Sequence, residues 1–229
     1  MNSEKSQDLI QSQVSSQVPF YIAIAGNIGV GKTTLTRKLA EHLQWQAFFE
    51  RVIDNPYLDD FYKDMHRWSF NLQVYFLSHR FNDQQRIFNS PQPCVQDRSI
   101  YEDVEIFARI LHEQGYMSDR DFENYHDLFY IMTRFLRKPD LIVYLRAPTW
   151  TLITRIRKRG RDYEKRITTD YLHQLNEAYE RWIKQAEKEM NVLIIEAERL
   201  DFEQHPEHLE HICSCITPFV PDEILSSSP

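Results

Sequence analysis

The chain has 229 residues, of which 42% are hydrophobic and 13% aromatic, so it is long enough to form one globular domain around a single core. The 27 basic and 34 acidic residues give a net charge of −7, which disfavours general nucleic-acid binding. The three cysteines lack the spacing of a metal site and are expected to be reduced thiols. We find neither a charged-then-apolar leader nor an apolar run long enough to span a membrane. We therefore expect a cytoplasmic protein without membrane or nucleic-acid partners.

Short apolar runs alternate with longer helical patterns through most of the chain. The predicted strands occupy residues 20–25, 46–50, 93–97, 140–145 and 191–197. These runs lack polar alternation, which is typical of strands that are buried on both faces. Together with the helix-length segments between them, they predict an α/β fold with a parallel sheet in one domain from 19 to 216. The polar, Ser/Gln-rich residues 1–18 and the stretch 217–229 are predicted to be tails.

A phosphate-binding motif follows the first predicted strand. It matches G-x-x-x-x-G-K-[ST], and the predicted phosphate-binding residues are Gly26, Asn27, Ile28, Gly29, Val30, Gly31, Lys32, Thr33 and Thr34. The glycines let backbone N–H groups converge on phosphate oxygens, and the N-terminus of the following helix adds its dipole. Lys32 supplies a charge at the β- and γ-phosphates, and the Thr33 hydroxyl can bind Mg²⁺. The motif predicts binding of a nucleoside triphosphate in a P-loop NTPase fold, for which we expect the strand order 2-3-1-4-5.

Two carboxylates stand at the ends of predicted strands. Glu50 closes the second strand, Asp97 closes the third, and Arg98 follows directly. Because ligands of open α/β sheets bind outside the carboxyl ends of the strands, both acids are expected to face the phosphate site. One carboxylate near a metal ion and another near an acceptor hydroxyl suit in-line phosphoryl transfer. The sequence motifs D-x-x-G and N-K-x-D, which GTPases carry after their third and fourth strands, are missing, which disfavours a switch protein.

A long helical pattern from 63 to 88 carries candidate substrate contacts. Gln73, Phe76 and Arg80 lie on one face of this helix, where an amide, a ring and a guanidinium could contact the edges and face of a flat heterocycle. Asp103 and Phe107 lie four residues apart on the next helix and form a second acid and aromatic pair for the same pocket. An ordinary amphipathic helix with polar ends remains the alternative for the first of these helices.

A basic run predicts a lid. Five of the seven residues from 155 to 161 are basic, in a chain that is acidic overall. Arg155 and Arg159 share a helical face, and Gly160 allows the chain to turn and present Arg161. This arrangement suits a lid that closes over a triphosphate and supplies cations to the transition state. Plain surface charge is the alternative interpretation.

Taken together, the motifs resemble the deoxynucleoside kinase family across residues 20–205. The resemblance depends on the order and spacing of GNIGVGKTT, FFE followed by NPYL, FYKDMHRWSFNLQVYFLSHR, DRS followed by IYED, and RKRGRDYE. It implies an enzyme that transfers the terminal phosphate of ATP to the 5'-hydroxyl of a deoxynucleoside, with Mg²⁺ as cofactor. It also implies a homodimer.

The resemblance further implies roles for individual residues. Glu50 resembles the carboxylate that activates the 5'-hydroxyl, Arg98 the residue that holds this carboxylate, and Asp97 the acid of the Mg²⁺ site. Matching positions on the nucleoside side imply contacts to the sugar 3'-hydroxyl from Tyr62 and Glu164, to the base edge from Gln73, and to the base face from Phe107. On the donor side, the implied phosphate contacts are Arg155, Arg159 and Arg161, and those around the adenine are Asp201 and Phe202.

Arg80 and Asp103 bear on the choice of base. In the family, an arginine and an aspartate at these positions accompany acceptance of purines and deoxycytidine, so the resemblance favours deoxyadenosine or deoxyguanosine. The sequence departs from the family pattern at Arg51, where a proline is frequent, at Asn55, where some members carry an aromatic residue, and at Asp97, where many carry a glutamate. None of these changes removes a group that the chemistry needs.

Two other functions compete with this hypothesis. A nucleoside monophosphate kinase, such as a thymidylate kinase, would need fixed arginines for the acceptor phosphate, whereas the acid Glu50 would repel that phosphate. A non-catalytic structural relative could lose Lys32, Glu50 or Arg98, but all three are present. The predicted function is therefore phosphorylation of a purine deoxynucleoside in nucleotide salvage.

Overall fold

The computed structural model describes residues 19–50 and 55–226. The predicted tail 1–18, the departure at Arg51 and the last residues of the predicted tail 217–229 lie outside the described residues.

A five-stranded parallel sheet forms the centre of the molecule. Its strands are β1 (Tyr21–Gly26), β2 (Gln46–Phe48), β3 (Cys94–Asp97), β4 (Leu141–Arg146) and β5 (Val192–Glu196). Their order is β2-β3-β1-β4-β5, which confirms the predicted order and places each strand within two residues of its predicted limits. All six residues of β1 are buried, as expected for a central strand that is covered on both faces.

Helices pack around this sheet, as predicted. In chain order they are α1 (Lys32–Leu43), α2 (Leu58–Lys63), α3 (Met65–Phe88), α4 (Ile100–Glu102), α5 (Arg109–Glu113), α6 (Asp119–Thr133), α7 (Thr149–Arg159), α8 (Thr169–Ala186), α9 (Pro206–Ile216) and α10 (Asp222–Ser226). A π-helical segment, Asp103–Ala108, joins α4 to α5, and 3-10 turns follow α7 at Asp162–Arg166 and α9 at Thr217–Phe219. None of the helices in the described ranges has the length and apolar character needed to cross a bilayer.

The helix predicted over 63–88 is divided at Asp64. The short helix α2 ends at Lys63, and the Asp64 side chain accepts a hydrogen bond of 3.0 Å from the backbone N–H of Arg67. A carboxylate that caps the N-terminus in this way starts a new helix, so α3 begins at Met65. Gln73 and Arg80 lie well inside α3, and both side chains are buried.

The predicted tail 217–229 requires a correction. Residues Thr217–Phe219 form a 3-10 turn, α10 follows, and Val220 is buried in the main core. The reason is that Phe219, Ile224 and Leu225 pack against the same core, so the apolar residues of this segment hold it on the domain. The polar composition of the segment concealed this apolar contact.

Strand register determines where the functional groups meet. Ile24 of β1 is paired with Asp97 of β3, so Gly26 at the start of the phosphate loop and Arg98 leave the same edge of the sheet. A second apolar cluster lies between α2, α3, the π-helical segment and α6, beside this edge. The edge of the sheet and this second cluster enclose the candidate site.

Candidate active site

The phosphate loop has the backbone conformation that an anion site requires. Gly26 and Gly29 have φ angles of 144° and 82°, and a Cβ atom there would lie 2.7 Å from the carbonyl oxygen of Leu145 or from Ile156. Only glycine therefore fits at these two positions. Helix α1 begins at Lys32 without a side-chain cap, so its first N–H groups remain available for phosphate oxygens.

Lys32 is buried beneath this loop. Its Nζ donates to the carbonyl oxygen of Asn27 at 3.0 Å. Burial, followed by the positive charge of Arg98, lowers the pKa of Lys32 to about 8. An incoming triphosphate would raise the pKa again, so the site favours a multiply charged anion.

Thr33 and Asp97 bring two hard oxygen ligands together at the sheet edge. The Thr33 hydroxyl donates to Asp97 Oδ2 at 2.5 Å. Asp97 Oδ1 is buried and has no hydrogen-bond partner among the described residues, and burial raises the pKa of Asp97. Oxygen ligands of this kind suit Mg²⁺, which keeps several waters and needs few protein ligands. Within the described part of the chain there is no cluster of three or more His, Cys, Asp or Glu side chains that could hold a metal ion without such help.

Glu50 is held between two arginines. Its Oε1 accepts a hydrogen bond of 2.6 Å from Arg80 Nη2 and lies 3.6 Å from Arg98 Nε. Burial alone would raise the pKa of Glu50, but the charges of Arg98, Arg80 and Lys32 outweigh it and hold the pKa at about 2. Glu50 is therefore an anion at any physiological pH, with a side chain that is only 14% exposed.

Arg98 has an unusual backbone conformation. Its φ angle is 68°, in the left-handed region, which costs a residue with a side chain about 1–3 kcal/mol. The conformation turns the chain immediately after β3, and the Arg98 guanidinium then lies 4.2 Å from the centre of the Phe107 ring and faces Glu50. Strain of this kind is concentrated at functional sites, and here it aims the arginine that the sequence predicts to be catalytic.

The Arg80 and Asp103 side chains form a buried ion pair. Arg80 Nε donates to both carboxylate oxygens of Asp103, at 2.8 and 2.6 Å. Burial raises the pKa of Asp103 to about 6, against the opposing charge of Arg80. The pair depends on the π-helical segment Asp103–Ala108, because the wider turn carries both Asp103 and Phe107 on its buried side. Arg80 thus contacts Glu50 and Asp103 at the same time.

Most of these groups line one cavity of about 360 Å³, whereas Gly26 and Asp97 are not among its lining residues. Of the predicted residues it includes Ile28, Gly29, Gly31, Lys32, Thr33, Thr34, Glu50, Tyr62, Gln73, Phe76, Arg80, Arg98, Asp103, Phe107, Arg159, Arg161 and Glu164. Gln73 contributes a buried amide whose Oε1 has no partner among the described residues. An unpaired buried amide costs about 1–3 kcal/mol, so the geometry favours a ligand with a complementary polar edge.

The predicted lid residues Arg159 and Arg161 face the cavity together with Glu164. Arg159 donates to both oxygens of Glu164, at 3.0 and 2.6 Å, and Arg161 Nη1 lies 3.5 Å from the same carboxylate. The ring of Tyr163, from the turn after α7, stacks on that of Tyr62 from α2 with 6.2 Å between ring centres. The predicted sugar-binding pair Tyr62 and Glu164 is therefore within one wall of the cavity.

Arg155 is one of the predicted donor-side residues that the structure places outside the cavity. Its guanidinium donates to the carbonyl oxygens of Val30, Ala197 and Leu200, at 2.8, 2.8 and 3.0 Å, and it does not line the cavity. Arg155 lies on the same helical face as Arg159 but one turn closer to the phosphate loop. There, backbone carbonyl oxygens accept the hydrogen bonds of its guanidinium. In this structure Arg155 fastens the loop to the segment after β5.

The remaining predicted donor-side residues lie near the phosphate loop. The Asn27 side chain donates to Leu172 and Asn176 of α8, at 2.9 and 2.7 Å, so it holds the loop from behind. Asp201 accepts from the N–H groups of Glu203 and Gln204, whereas Phe202 is buried beside Gly31. Neither residue lines the cavity.

Several cavity residues were not predicted from the sequence. They are Phe49, Leu58, Phe61, Leu72, Tyr163 and Tyr171. Tyr163 stands inside the RDYE segment and could have been inferred from its position between Arg161 and Glu164. Phe49, Leu58, Phe61 and Leu72 also stand inside the quoted motifs, but they are apolar and were given no role of their own. Tyr171 lies outside every motif, and only the packing of α8 against the cavity identifies it.

The site combines a phosphate loop, two oxygen ligands suited to a metal ion and a buried anionic carboxylate. This combination defines a P-loop kinase that transfers a phosphoryl group to a small acceptor. The deoxynucleoside kinase family model matches residues 22–221, which is most of the chain. The chain therefore belongs to the deoxynucleoside kinase family.

Individual relatives agree with this assignment. The chain is 44% identical to a deoxyadenosine/deoxycytidine kinase of Bacillus subtilis (strain 168), over 71% of this chain and 76% of that protein. It is 39% identical to a deoxyguanosine kinase of the same organism, over 85% and 94% of the two chains. The structure of a deoxyadenosine kinase from M. mycoides with bound dATP is similar, with a TM-score of 0.76 at 31% identity, over 86% of this chain and 99% of that one.

Proposed function

We propose that this kinase transfers the terminal phosphate of Mg-ATP to the 5'-hydroxyl of a purine deoxynucleoside, with deoxycytidine as a possible further acceptor. The observation that carries the proposal is the Glu50 carboxylate, which is buried beside the phosphate loop and kept anionic by Arg80 and Arg98. A fixed anion at this point attracts a hydroxyl donor and repels a second phosphate.

Phosphoryl transfer needs the acceptor hydroxyl in line with the bond that breaks. Glu50 would accept a hydrogen bond from the 5'-hydroxyl and take its proton as the new O–P bond forms. With a pKa of about 2, Glu50 is a weak base, so its main contribution is to orient the hydroxyl, and proton transfer comes late. Arg98, which faces the same oxygen, keeps the carboxylate in place.

On the donor side, the phosphate loop and Lys32 would bind the triphosphate, while Arg159 and Arg161 would approach from the lid. Thr33 and Asp97 are the residues that would hold Mg²⁺, and bound Mg²⁺ neutralises charge on the phosphate oxygens. The unpartnered Asp97 Oδ1 supports this assignment. Arg155 supports the donor site indirectly, through the carbonyl oxygen of Val30 in the loop.

The preference for a purine is supported by the polar groups at the far end of the cavity. Gln73 offers an amide oxygen that has no partner among the described residues, and the Arg80–Asp103 pair offers a donor and an acceptor in the same cavity. Together they match the polar edges of adenine or guanine better than those of thymine. The relatives named deoxyadenosine/deoxycytidine kinase and deoxyguanosine kinase support the same group of bases.

A homodimer in the cytoplasm completes the proposal. Two apolar side chains near the C-terminal end of α6, Ile131 and Phe135, are 70% and 82% exposed, and Leu128 lies on the same face. A second copy of the chain could cover them. ATP and deoxynucleosides would be met in the cytoplasm, where all three cysteines, which are free, would remain reduced.

A substrate panel tests the proposed function. The purified protein is supplied with Mg-ATP and, in turn, with deoxyadenosine, deoxyguanosine, deoxycytidine, thymidine and adenosine, and the products are identified as 5'-monophosphates. We expect a purine deoxynucleoside to react with the highest kcat/KM and thymidine with a far lower one. A preference for thymidine would contradict the assignment of Arg80 and Asp103.

A further inference from the structure

Glu102 is a buried carboxylate that the proposed chemistry does not use. Its side chain is fully buried at the end of α4, and within the described residues it forms no ion pair. A buried anion without a counter-ion is costly unless hydrogen bonds satisfy it, so its surroundings need an explanation.

Four donors converge on Glu102. Oε1 accepts from the backbone N–H of Ser99 at 2.8 Å, as part of the capping box of α4, and more weakly from the Ser99 hydroxyl at 3.4 Å. Oε2 accepts from the Tyr179 hydroxyl at 2.7 Å and from the backbone N–H of Gly26 at 3.3 Å. A capping box uses only the first oxygen. The second oxygen reaches a different strand and the first glycine of the phosphate loop.

These contacts lie where the sheet ends. The last backbone hydrogen bond between β1 and β3 runs from the N–H of Arg98 to the carbonyl oxygen of Ile24, at 3.0 Å. Beyond this hydrogen bond the two strands separate. β1 continues into the phosphate loop at Gly26, and β3 continues into the turn at Ser99. Their N–H groups are both donors and cannot pair with each other, but one carboxylate can accept from both.

We propose that Glu102 is a positioning residue that fixes the distance between the phosphate loop and the catalytic turn. This bridge, formed by Gly26, Glu102 and Ser99, continues the sheet where the backbone ladder stops. On one side it holds the phosphate loop at Gly26, and on the other it holds the left-handed turn that directs Arg98 toward Glu50. The inference rests on the proposed function, because spacing matters most for in-line transfer between two bound substrates.

Helix α8 supports the bridge from the opposite side. The Tyr179 hydroxyl donates to Glu102 Oε2 at 2.7 Å and so helps to hold the carboxylate in place. The bridge thus acts through the residues that it positions and does not contact either substrate itself.

Glu102→Gln tests the bridge. Glutamine keeps the shape but turns an NH₂ group toward one of the two backbone N–H groups, so one of those hydrogen bonds is lost. We expect kcat to fall about 10–100-fold, while the dissociation constants of ATP and of the deoxynucleoside change by less than about threefold. Tyr179→Phe is the matched control, since it removes a donor from the same carboxylate and leaves both backbone bonds, so its kcat should stay within about threefold of wild type.

Glu102→Asp separates spacing from charge. Aspartate keeps the charge but is one methylene shorter and cannot reach both N–H groups, so we expect a loss of kcat similar to that of Glu102→Gln. Amide hydrogen exchange on the full-length chain without substrates gives a measurement that is independent of activity. In Glu102→Gln the Gly26 and Ser99 amides should exchange faster together, with little change elsewhere in β1 and β3.

Each outcome decides the question. A folded Glu102→Gln enzyme with kcat within threefold of wild type, or a loss confined to substrate affinity, overturns the proposal. Failure of both Glu102 variants to fold also overturns it, because the carboxylate would then serve folding alone. If the wild-type protein phosphorylates no deoxynucleoside, the proposed function is wrong, and the amide exchange of Gly26 and Ser99 still tests the bridge.

Discussion

At the phosphate-binding end of the site, consecutive residues of a single loop supply most of the groups, and the loop binds mainly through its backbone. The acceptor end is assembled differently. It takes Glu50 from the end of a strand, Arg80 from a long helix and Asp103 from a π-helical segment, and these side chains carry opposite charges in a buried space. The first end depends on local conformation, and the second depends on the balance of a charge network.

This difference predicts different consequences of mutation. A backbone site is insensitive to most side-chain changes outside its glycines and lysine. In a network of buried ions, removal of one member leaves its partner unpaired, which costs more than the interaction was worth. The acceptor end should therefore give the largest effects on turnover and on substrate choice.

The largest effect is expected from Glu50→Gln. The amide cannot accept the 5'-hydroxyl proton, so kcat should fall about 10²-fold or more, with little change in the dissociation constant of ATP. Glu41→Gln, on the exposed side of α1, is the control and should keep wild-type kcat. Steady-state kinetics and ATP titration measure both values. A Glu50→Gln enzyme with near-normal kcat would contradict the role of the carboxylate.

Arg80→Met should change both selectivity and turnover. It removes the partner of Asp103 and one of the two arginines at Glu50. An unpaired buried group costs about 1–3 kcal/mol, so we expect kcat/KM for a purine deoxynucleoside to fall about 5–150-fold relative to thymidine. Asp103→Asn, which leaves the contact between Arg80 and Glu50 in place, should shift selectivity with a smaller loss of kcat. Equal loss for all bases would argue against base recognition.

The phosphate end should respond to pH. Lys32 has a lowered pKa of about 8, so it is charged below that pH and becomes neutral above it. ATP affinity should fall only about twofold from pH 7 to 8 and then weaken by up to about tenfold for each further pH unit, with uptake of a proton on binding. Calorimetry in buffers of different ionisation enthalpy measures both. The Lys32→Met variant should bind ATP weakly, with an affinity that does not change with pH. A wild-type ATP affinity that stays constant to pH 9.5 would contradict the prediction.

The smallest expected effects come from Arg155 and Arg159 of α7, and these two variants should differ from each other. Arg155→Ala loses hydrogen bonds to backbone carbonyls, and since such bonds contribute about 1.5–3 kcal/mol, Tm should fall by about 3–12 °C. Arg159→Ala, whose side chain faces the cavity, should lower kcat with less change in Tm. Thermal unfolding and kinetics of the two variants make the comparison. A normal Tm with reduced kcat for Arg155→Ala would restore its predicted role as a phosphate contact.

Much of the fold could be predicted from the sequence because its signals are local. Apolar runs identified all five strands, and the glycines with Lys32 and Thr33 identified the phosphate loop. The buried contact of Val220 was missed because the apolar residues of this stretch form two short pairs, Phe219–Val220 and Ile224–Leu225, which are too short to show a helical or strand period.

For the candidate site, the sequence indicated which residues take part but not how their side chains contact one another. Sequence patterns and the family resemblance named Glu50, Arg80 and Asp103, but not the ion network that joins them, because their separation across the chain is set by the packing of α3 against the π-helical segment. Arg155 was assigned to the phosphates because helical periodicity shows which face a residue shares and not how far along the helix its partners lie. Glu102 was given no role from the sequence, because its contacts to Gly26 and Ser99 arise only where β1 and β3 lie side by side.

The central claim is that the buried anion Glu50 selects an unphosphorylated acceptor. The most direct test offers Mg-ATP together with deoxyadenosine or deoxyadenosine 5'-monophosphate in parallel reactions and follows the products. We expect conversion of the nucleoside to its monophosphate and no measurable conversion of the monophosphate to the diphosphate. Efficient formation of the diphosphate, with the nucleoside left unchanged, would contradict the account and favour a nucleoside monophosphate kinase.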